Sequence, residues 1–323
     1  MTFSSSLACS RPASVQPSSQ VARLMTQLQD KSPTVRRAAA EALVRLRPAA
    51  QDAAPELVKL LKDPEAGVRL TASMVLRELG PAAQDVVPEL AKLLKDPDRG
   101  VRLAAAYALG GLGVAAKDTV SDLVELLKDP DGDMRRVAAE ALGGLGPVAK
   151  DAVPALAKFL KDPDWGVRWA AAHALGRLGH VAQDVVPALV KLLKDPEAAV
   201  RQEAASALSE LGPAAKDTVS DLVKLLKDPD EEVRRDAAWL LGRIGPAAQD
   251  AVPDLVELLK DPVVLVRWEA ASALGQIGLA AQDVVPELAK LLEDPDADVR
   301  RAAAAALSKI GAGAKDAVKD EPN

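Results

Sequence analysis

Trp165, Trp169, His173 and Arg177 follow one another at intervals of four, and Trp239 stands midway between Arg235 and Arg243 at the same interval. Side chains four apart lie on one line of a helix. A line of this kind can stack on flat or cationic groups through indole rings and can clamp a carboxylate or phosphate through a guanidinium. It is poorly equipped for bond-making chemistry. No second histidine or cysteine shares the face of His173, so neither a metal nor a general-base role is expected of it. His180 takes a loop position held by proline elsewhere and is expected to be solvent-exposed. The chain shows no glycine-rich phosphate loop, nucleophile elbow or metal-ligand cluster. No catalytic residue, metal or cofactor is therefore assigned.

These side chains need helices to carry them, and a longer period supplies the helices. Aspartate recurs every 33 residues from Asp30 to Asp294, nine times without insertion, and arginine follows each six residues later, from Arg36 to Arg300. Self-similarity at this length marks a solenoid, in which each unit packs on its neighbours. Let the aspartate be position 1. Proline at position 2, from Pro64 to Pro295, ends the preceding helix. An acid at position 3, such as Glu65, Asp98, Asp131, Asp164 or Asp230, is placed to cap the next. Positions 6, 10, 13, 14 and 17 are apolar at helical spacing, with alanine at 10 and leucine at 14 in every repeat. They predict a helix over positions 4–17 with one buried face. Gly80, Gly113, Gly146, Gly179, Gly212, Gly245, Gly278 and Gly311 are expected to close it in a left-handed conformation. A shorter helix follows, for example Val86–Leu94, with Asp85 as cap and Pro88 in the first turn.

The repeats differ at positions 4, 8, 12 and 16. About 100° per residue places that line opposite the buried face. It carries all four tryptophans (Trp165, Trp169, Trp239, Trp268), the only tyrosine (Tyr107) and His173. Exposed tryptophan is uncommon, and Trp and Arg dominate binding hot spots. The same positions hold nine Lys or Arg, among them Arg136, Arg177, Arg235 and Arg243, against five glutamates. This predicts a locally basic, aromatic stripe that suits an acidic or phosphorylated segment. The plainer reading is that the tryptophans pack on one another and on arginine stems. Nearly all carboxylates recur in each repeat and are assigned to the scaffold.

Composition sets the outer limits. The chain has 323 residues, 49% apolar but only 2% aromatic, so its core must be Ala, Leu and Val. A net charge of −6 argues against a general nucleic-acid binder. A single cysteine, Cys9, excludes a disulfide framework. No apolar run approaches the ~20 residues of a membrane span. Residues 1–20 are Ser-rich with no acid and read as a disordered tail; an organelle transit peptide is the alternative to a cytoplasmic location. Residues 21–313 read as the repeat array, and 314–323 as a partial repeat or polar cap. A three-repeat block also recurs: Gln84-Asp85-Val86-Val87-Pro88 returns at Gln183 and Gln282.

The pattern Leu-Leu-Lys-Asp-Pro, Val-Arg, Ala-Ala-x-Ala-Leu-Gly-x-Leu-Gly resembles HEAT repeats, closest to the short HEAT-like class named after phycobilisome lyases. The resemblance covers about residues 21–318. It implies an all-α, right-handed α-solenoid of about nine two-helix repeats. It further implies that the position-1 aspartate and position-7 arginine form a ladder between repeats, and that the variable stripe lines the concave side. The expected function is a monomeric, non-catalytic scaffold that binds a protein or peptide there. The alternatives are a bilin lyase or its chaperone-like subunit, and a nucleic-acid-binding HEAT-like protein. Deoxyhypusine hydroxylase, another HEAT family, is set aside: it binds iron through several His-Glu pairs, and His173 and His180 are followed by Ala174 and Val181.

Overall fold

The computed structural model describes residues 17–46, 49–211 and 218–319. Over these the chain is helical, and no strand occurs among them. The helices divide into two compact units, residues 1–115 and 116–323. Unit 1 carries α1 (Pro17–Gln27), α2 (Pro33–Val44), α3 (Ala54–Leu60), α4 (Ala66–Leu79), α5 (Val87–Leu93) and α6 (Arg99–Leu112). Unit 2 carries α7 (Val120–Leu126), α8 (Gly132–Leu145), α9 (Val153–Phe159), α10 (Trp165–Leu178), α11 (Val186–Leu192) and α12 (Ala198–Leu211). It continues with α13 (Val219–Leu225), α14 (Glu231–Ile244), α15 (Val252–Leu258), α16 (Val264–Ile277), α17 (Val285–Lys290) and α18 (Ala297–Lys319).

The fourteen-residue helices occupy positions 4–17, as the spacing predicts. Their buried face is the expected one: Ala72, Ala105, Ala138, Ala171, Ala204 and Ala270 are fully enclosed, as are Leu76, Leu109, Leu142, Leu175 and Leu274. Alanine at position 10 lets neighbouring helices approach, and leucine at position 14 fills the space against the short helices. Burial of a leucine side chain contributes about 1.5–3 kcal/mol, so the repetition of these two residues is the main driving force for stacking.

Capping follows chemistry more selectively than the sequence reading. Asp98, Asp131, Asp164 and Asp230 accept N–H bonds from the first turns of their helices. Glu65 occupies the same place without such a bond; its longer side chain does not fold back onto the turn. The glycines that end the long helices have φ of 56–71° with ψ between −134° and −154°. This is not the expected left-handed helical basin but an extended positive-φ region open essentially to glycine alone. The chain then runs through a 3₁₀ stretch such as Gly80–Val86, which absorbs Asp85; α5 is capped by no side chain. These six long helices thus end with glycine, and the short ones that follow them begin with 3₁₀ turns instead of an aspartate cap.

Two end corrections follow. Helix α1 begins at Pro17, inside the segment expected to be a tail, and residues 1–16 lie outside the described residues. Helix α18 runs through Gly311 to Lys319 and does not close there. Glycine permits the turn but does not compel it. Gly212 lies outside the described residues.

The inter-repeat ladder is present. In unit 1 Arg36 holds Asp63; in unit 2 Arg135 holds Asp162, Arg168 holds Asp195, Arg234 holds Asp261 and Arg267 holds Asp294. Each pair is bidentate, Nε and Nη2 reaching the two oxygens at 2.6–3.2 Å. The remaining nitrogen ties down its own loop: Arg168 Nη1 donates to the carbonyls of Asp162 and Pro163 at 2.9 and 3.2 Å. Burial pushes the Asp195 carboxyl up, but Arg168, the Glu197 N–H and Arg201 outweigh it and hold the group below the usual carboxylate range.

Two rungs differ. Arg69 lies over Gly100, whose absent Cβ would come within 2.6 Å of Nη2, and Asp96 faces Lys62 at 3.4 Å. Arg201 turns to Glu232 and Asp230 of the next repeat, while Asp228 pairs with Lys194 at 2.7 Å. Only in the seventh repeat does position 5 carry a glutamate, Glu232, and it out-reaches Asp228. At this joint the helix contact also changes. Gly143, Gly176, Gly242 and Gly275 touch an alanine backbone in the next long helix so closely that a Cβ would come within 2.7–2.9 Å of its Cα. Between α12 and α14 those places hold Ser209 and Leu240, and α12 packs on α14 more sparsely than α14 does on α16.

Asp195→Asn should destabilise unit 2 by about 2 kcal/mol or more at pH 7 in denaturant unfolding, because it leaves a part-buried guanidinium without its counter-charge. Because the folded-state pKa is depressed, the rung's contribution is present above the unfolded aspartate value of about 3.9 and is lost as pH falls through the lower folded value. The wild type–variant difference should therefore shrink toward zero in acid below that value. Gly143→Ala should cost about 1–3 kcal/mol by forcing α8 from α10, visible as a lowered urea midpoint with unchanged helicity.

Candidate functional site

Unit 2 carries most of the variable stripe on α8, α10, α14 and α16, and its surface is uneven. Trp165 is 50% exposed and Trp268 38%. Trp169 and Trp239 are half-buried. Trp169 stacks on His173, the rings 5.2 Å apart and 7° from parallel. His173 Nδ1 lies 2.9 Å from Glu203 Oε1 in the next long helix. That carboxylate, opposed by burial, raises the imidazole pKa above its ordinary value. The pair anchors the ring, and the ring supports Trp169; part of the stripe is therefore self-packed. Tyr107 belongs to unit 1, where Arg77 of α4 sits 4.5 Å over its ring. Leu70 and Met74, on the same line of α4, are 57% and 48% exposed.

The expected basic character is trimmed by internal pairing. Arg136 bonds Glu140 at 2.6 Å and sits 3.7 Å from Asp133. Arg235 donates through Nε and Nη2 to Asp236 Oδ1 at 3.1 and 2.8 Å. Arg177 and Arg243 are different. Both are exposed, and their bonds go to neutral acceptors, the Gly143 carbonyl at 3.3 Å and the Ser209 hydroxyl at 3.1 Å. They keep an uncompensated positive charge. His180 is exposed, as expected.

One group of residues escaped the sequence reading. Position 9 reads Ala38, Thr71, Ala104, Val137, Ala170, Glu203, Asp236, Glu269, Ala302. Three consecutive repeats replace a small or apolar residue with an acid on the edge of the buried face. The signal was the comparison already used for the stripe, one column away. Asp236 is 9% and Glu269 4% exposed. Burial raises the Asp236 pKa against the pull of Arg235. Burial likewise raises Glu269 to about 7, with Arg235 lowering it and Asp236 raising it. Two carboxylates thus face one guanidinium across α14 and α16. Leu265, one turn before Glu269, is 55% exposed and Val264 37%, so an apolar rim with Trp268 adjoins the acid.

The family model for HEAT repeats matches residues 7–77, 54–143, 120–209, 180–229, 219–308 and 266–320. The chain belongs to the HEAT-repeat family. Its all-α solenoid fold agrees with solved structures. An engineered protein is 30% identical, TM-score 0.56, over 90% of this chain and 88% of its own. Escherichia coli YibA is 24% identical, TM-score 0.57, over 84% of this chain and 95% of its own. A chain of the Kap95:Nup1 complex is 17% identical with a TM-score of 0.64, over 90% of this HEAT chain but 44% of its own. No curated protein matches the chain at a significant level. Among the described residues no helix is long and apolar enough to cross a membrane.

Glu269 ionises near 4.5 when unfolded and near 7 when folded. Its cost therefore appears as pH rises from 4.5 to 7 and is complete above that. Glu269→Gln should accordingly stabilise unit 2 by on the order of 2 kcal/mol at pH 8 and change little at pH 4.5, measured by urea unfolding at both values.

Proposed function

We propose that this HEAT protein is a non-catalytic interaction scaffold that holds a protein or peptide segment along the variable stripe of unit 2. The observation that carries the reading is the open indole surface of Trp165 and Trp268 on a scaffold whose other large side chains are mostly enclosed. Trp169, backed by His173, and Trp239 extend that surface with less area. Rigid helices display these groups, so little side-chain order is lost on binding, which favours affinity. Arg177 and Arg243 would take acidic or phosphorylated groups of the segment through bidentate bonds; Arg136 and Arg235, already paired, would not. The fold likeness to a chain of the Kap95:Nup1 complex supports this use of a HEAT array.

Trp165→Ala with Trp268→Ala removes the most exposed rings without opening the core. In affinity capture with quantitative mass spectrometry, the double variant should lose at least tenfold enrichment of the principal partner while its helical circular dichroism stays unchanged. An unchanged partner set on the folded variant overturns the reading. Because all four tryptophans lie on the stripe, partner binding should also shift or quench intrinsic fluorescence.

A further inference from the structure

Glu269 is the one acid in the position-9 row with no hydrogen-bonded or ion-paired partner among the described residues. Glu203 meets His173, and Asp236 meets Arg235. Glu269, 4% exposed, has no hydrogen bond to any described residue. It is nevertheless not sealed: among the described residues the only fully enclosed side-chain N or O without a partner is Arg201 Nε. Its carboxylate faces Arg235 and Asp236 of α14, and Arg235 already gives Nε and Nη2 to Asp236. When both acids are ionised, the set of two acids and one base holds one negative charge in excess in a place where water is mostly excluded. An unpaired buried charge of this kind is costly and strengthens the pull on any cation that reaches it.

The surroundings select the form of that cation. Leu265 and Glu269 are four apart and share a face of α16; with Trp268 they place exposed apolar surface beside the acid. A lysine or arginine has the matching shape, an apolar stem ending in a charge, and its head group can also be attracted by an indole face. A divalent ion fits less well, since no group of three or more His, Cys, Asp or Glu among the described residues is placed to hold a metal ion.

We propose that Glu269 is the receptor for a lysine or arginine side chain of the bound segment, the stem lying on Leu265 and Trp268 and the cationic head completing the charge balance with Asp236 and Arg235. This rests on the peptide-binding reading of the stripe. It adds a basic residue to the partner, at a point distinct from the acid-binding Arg177 and Arg243. Burial, which holds the Glu269 carboxyl up to about 7, is the same cost that an incoming cation relieves.

The test uses the full chain and a random dodecapeptide display library. Wild type should select peptides with a common Lys or Arg, and the best of them, made synthetically, should bind at least tenfold more weakly to Glu269→Gln. That variant removes a buried charge and is expected to fold. Glu293→Gln, a change at an exposed acid just after α17, controls for general attraction to an acidic chain and should leave affinity unchanged. Arg235→Gln removes the competing internal cation and should tighten binding several-fold, a gain that a purely structural role does not produce. Selected peptides without a basic residue, or equal affinity for wild type and Glu269→Gln, overturn the proposal. Peptides that depend on Trp268 but not on Glu269 would sink this inference and leave the interaction scaffold standing; no peptide dependence on Trp165 or Trp268 would sink both.

Discussion

A guanidinium shared between two repeats holds the described architecture together. In Arg168 three nitrogens do two jobs: Nε and Nη2 grip Asp195 of the following loop, and Nη1 holds the carbonyls of its own loop. The aspartate in turn accepts the Glu197 N–H. Loop conformation and repeat-to-repeat register are thereby set by one planar group. Only arginine can do this, because its donors are fixed in a plane and it stays charged at every accessible pH. With the loops fixed, alanine and glycine on the long helices can meet backbone to backbone, and the stripe on the other side is displayed on a rigid support.

That rigidity explains how unlike surfaces coexist on near-identical repeats. The enclosed Ala and Leu columns stabilise the stack wherever they occur, so positions 4, 8, 12 and 16 are free to diverge. Position 9 lies between these regimes. In α10 it is Ala170, fully enclosed; in α12, α14 and α16 it is an acid that must find a partner. Glu203 finds one in His173 and so braces Trp169, whereas Glu269 does not. The aromatic stripe and the acid row are thus mechanically and electrostatically linked.

Much of the fold was legible because the periodic residues are physically restrictive: proline ends a helix, glycine permits the positive φ that follows, and alanine at position 10 tolerates no rival. The stripe's position was legible for the same reason. What could not be read is competition. Arg201 prefers Glu232 to Asp228, and Lys62 takes Asp96 from Arg69, because a neighbouring side chain of suitable length intervenes. The basic character of the stripe was overestimated because charge counting does not show that Arg235 adjoins a buried acid. Glu269 was missed because abundant repeated carboxylates hid three that do not repeat.

The joint between α12 and α14 has a mechanical meaning. It combines a rerouted arginine, whose Nε is left enclosed and unbonded, with Ser209 and Leu240 where other joints place glycine and alanine. A stack under tension yields where its bonds are least redundant. Pulled from its ends, unit 2 would give way there first, with α10 remaining with α12 on one side and α14 with α16 on the other. The joint would act as a compliant seam in an otherwise stiff spring.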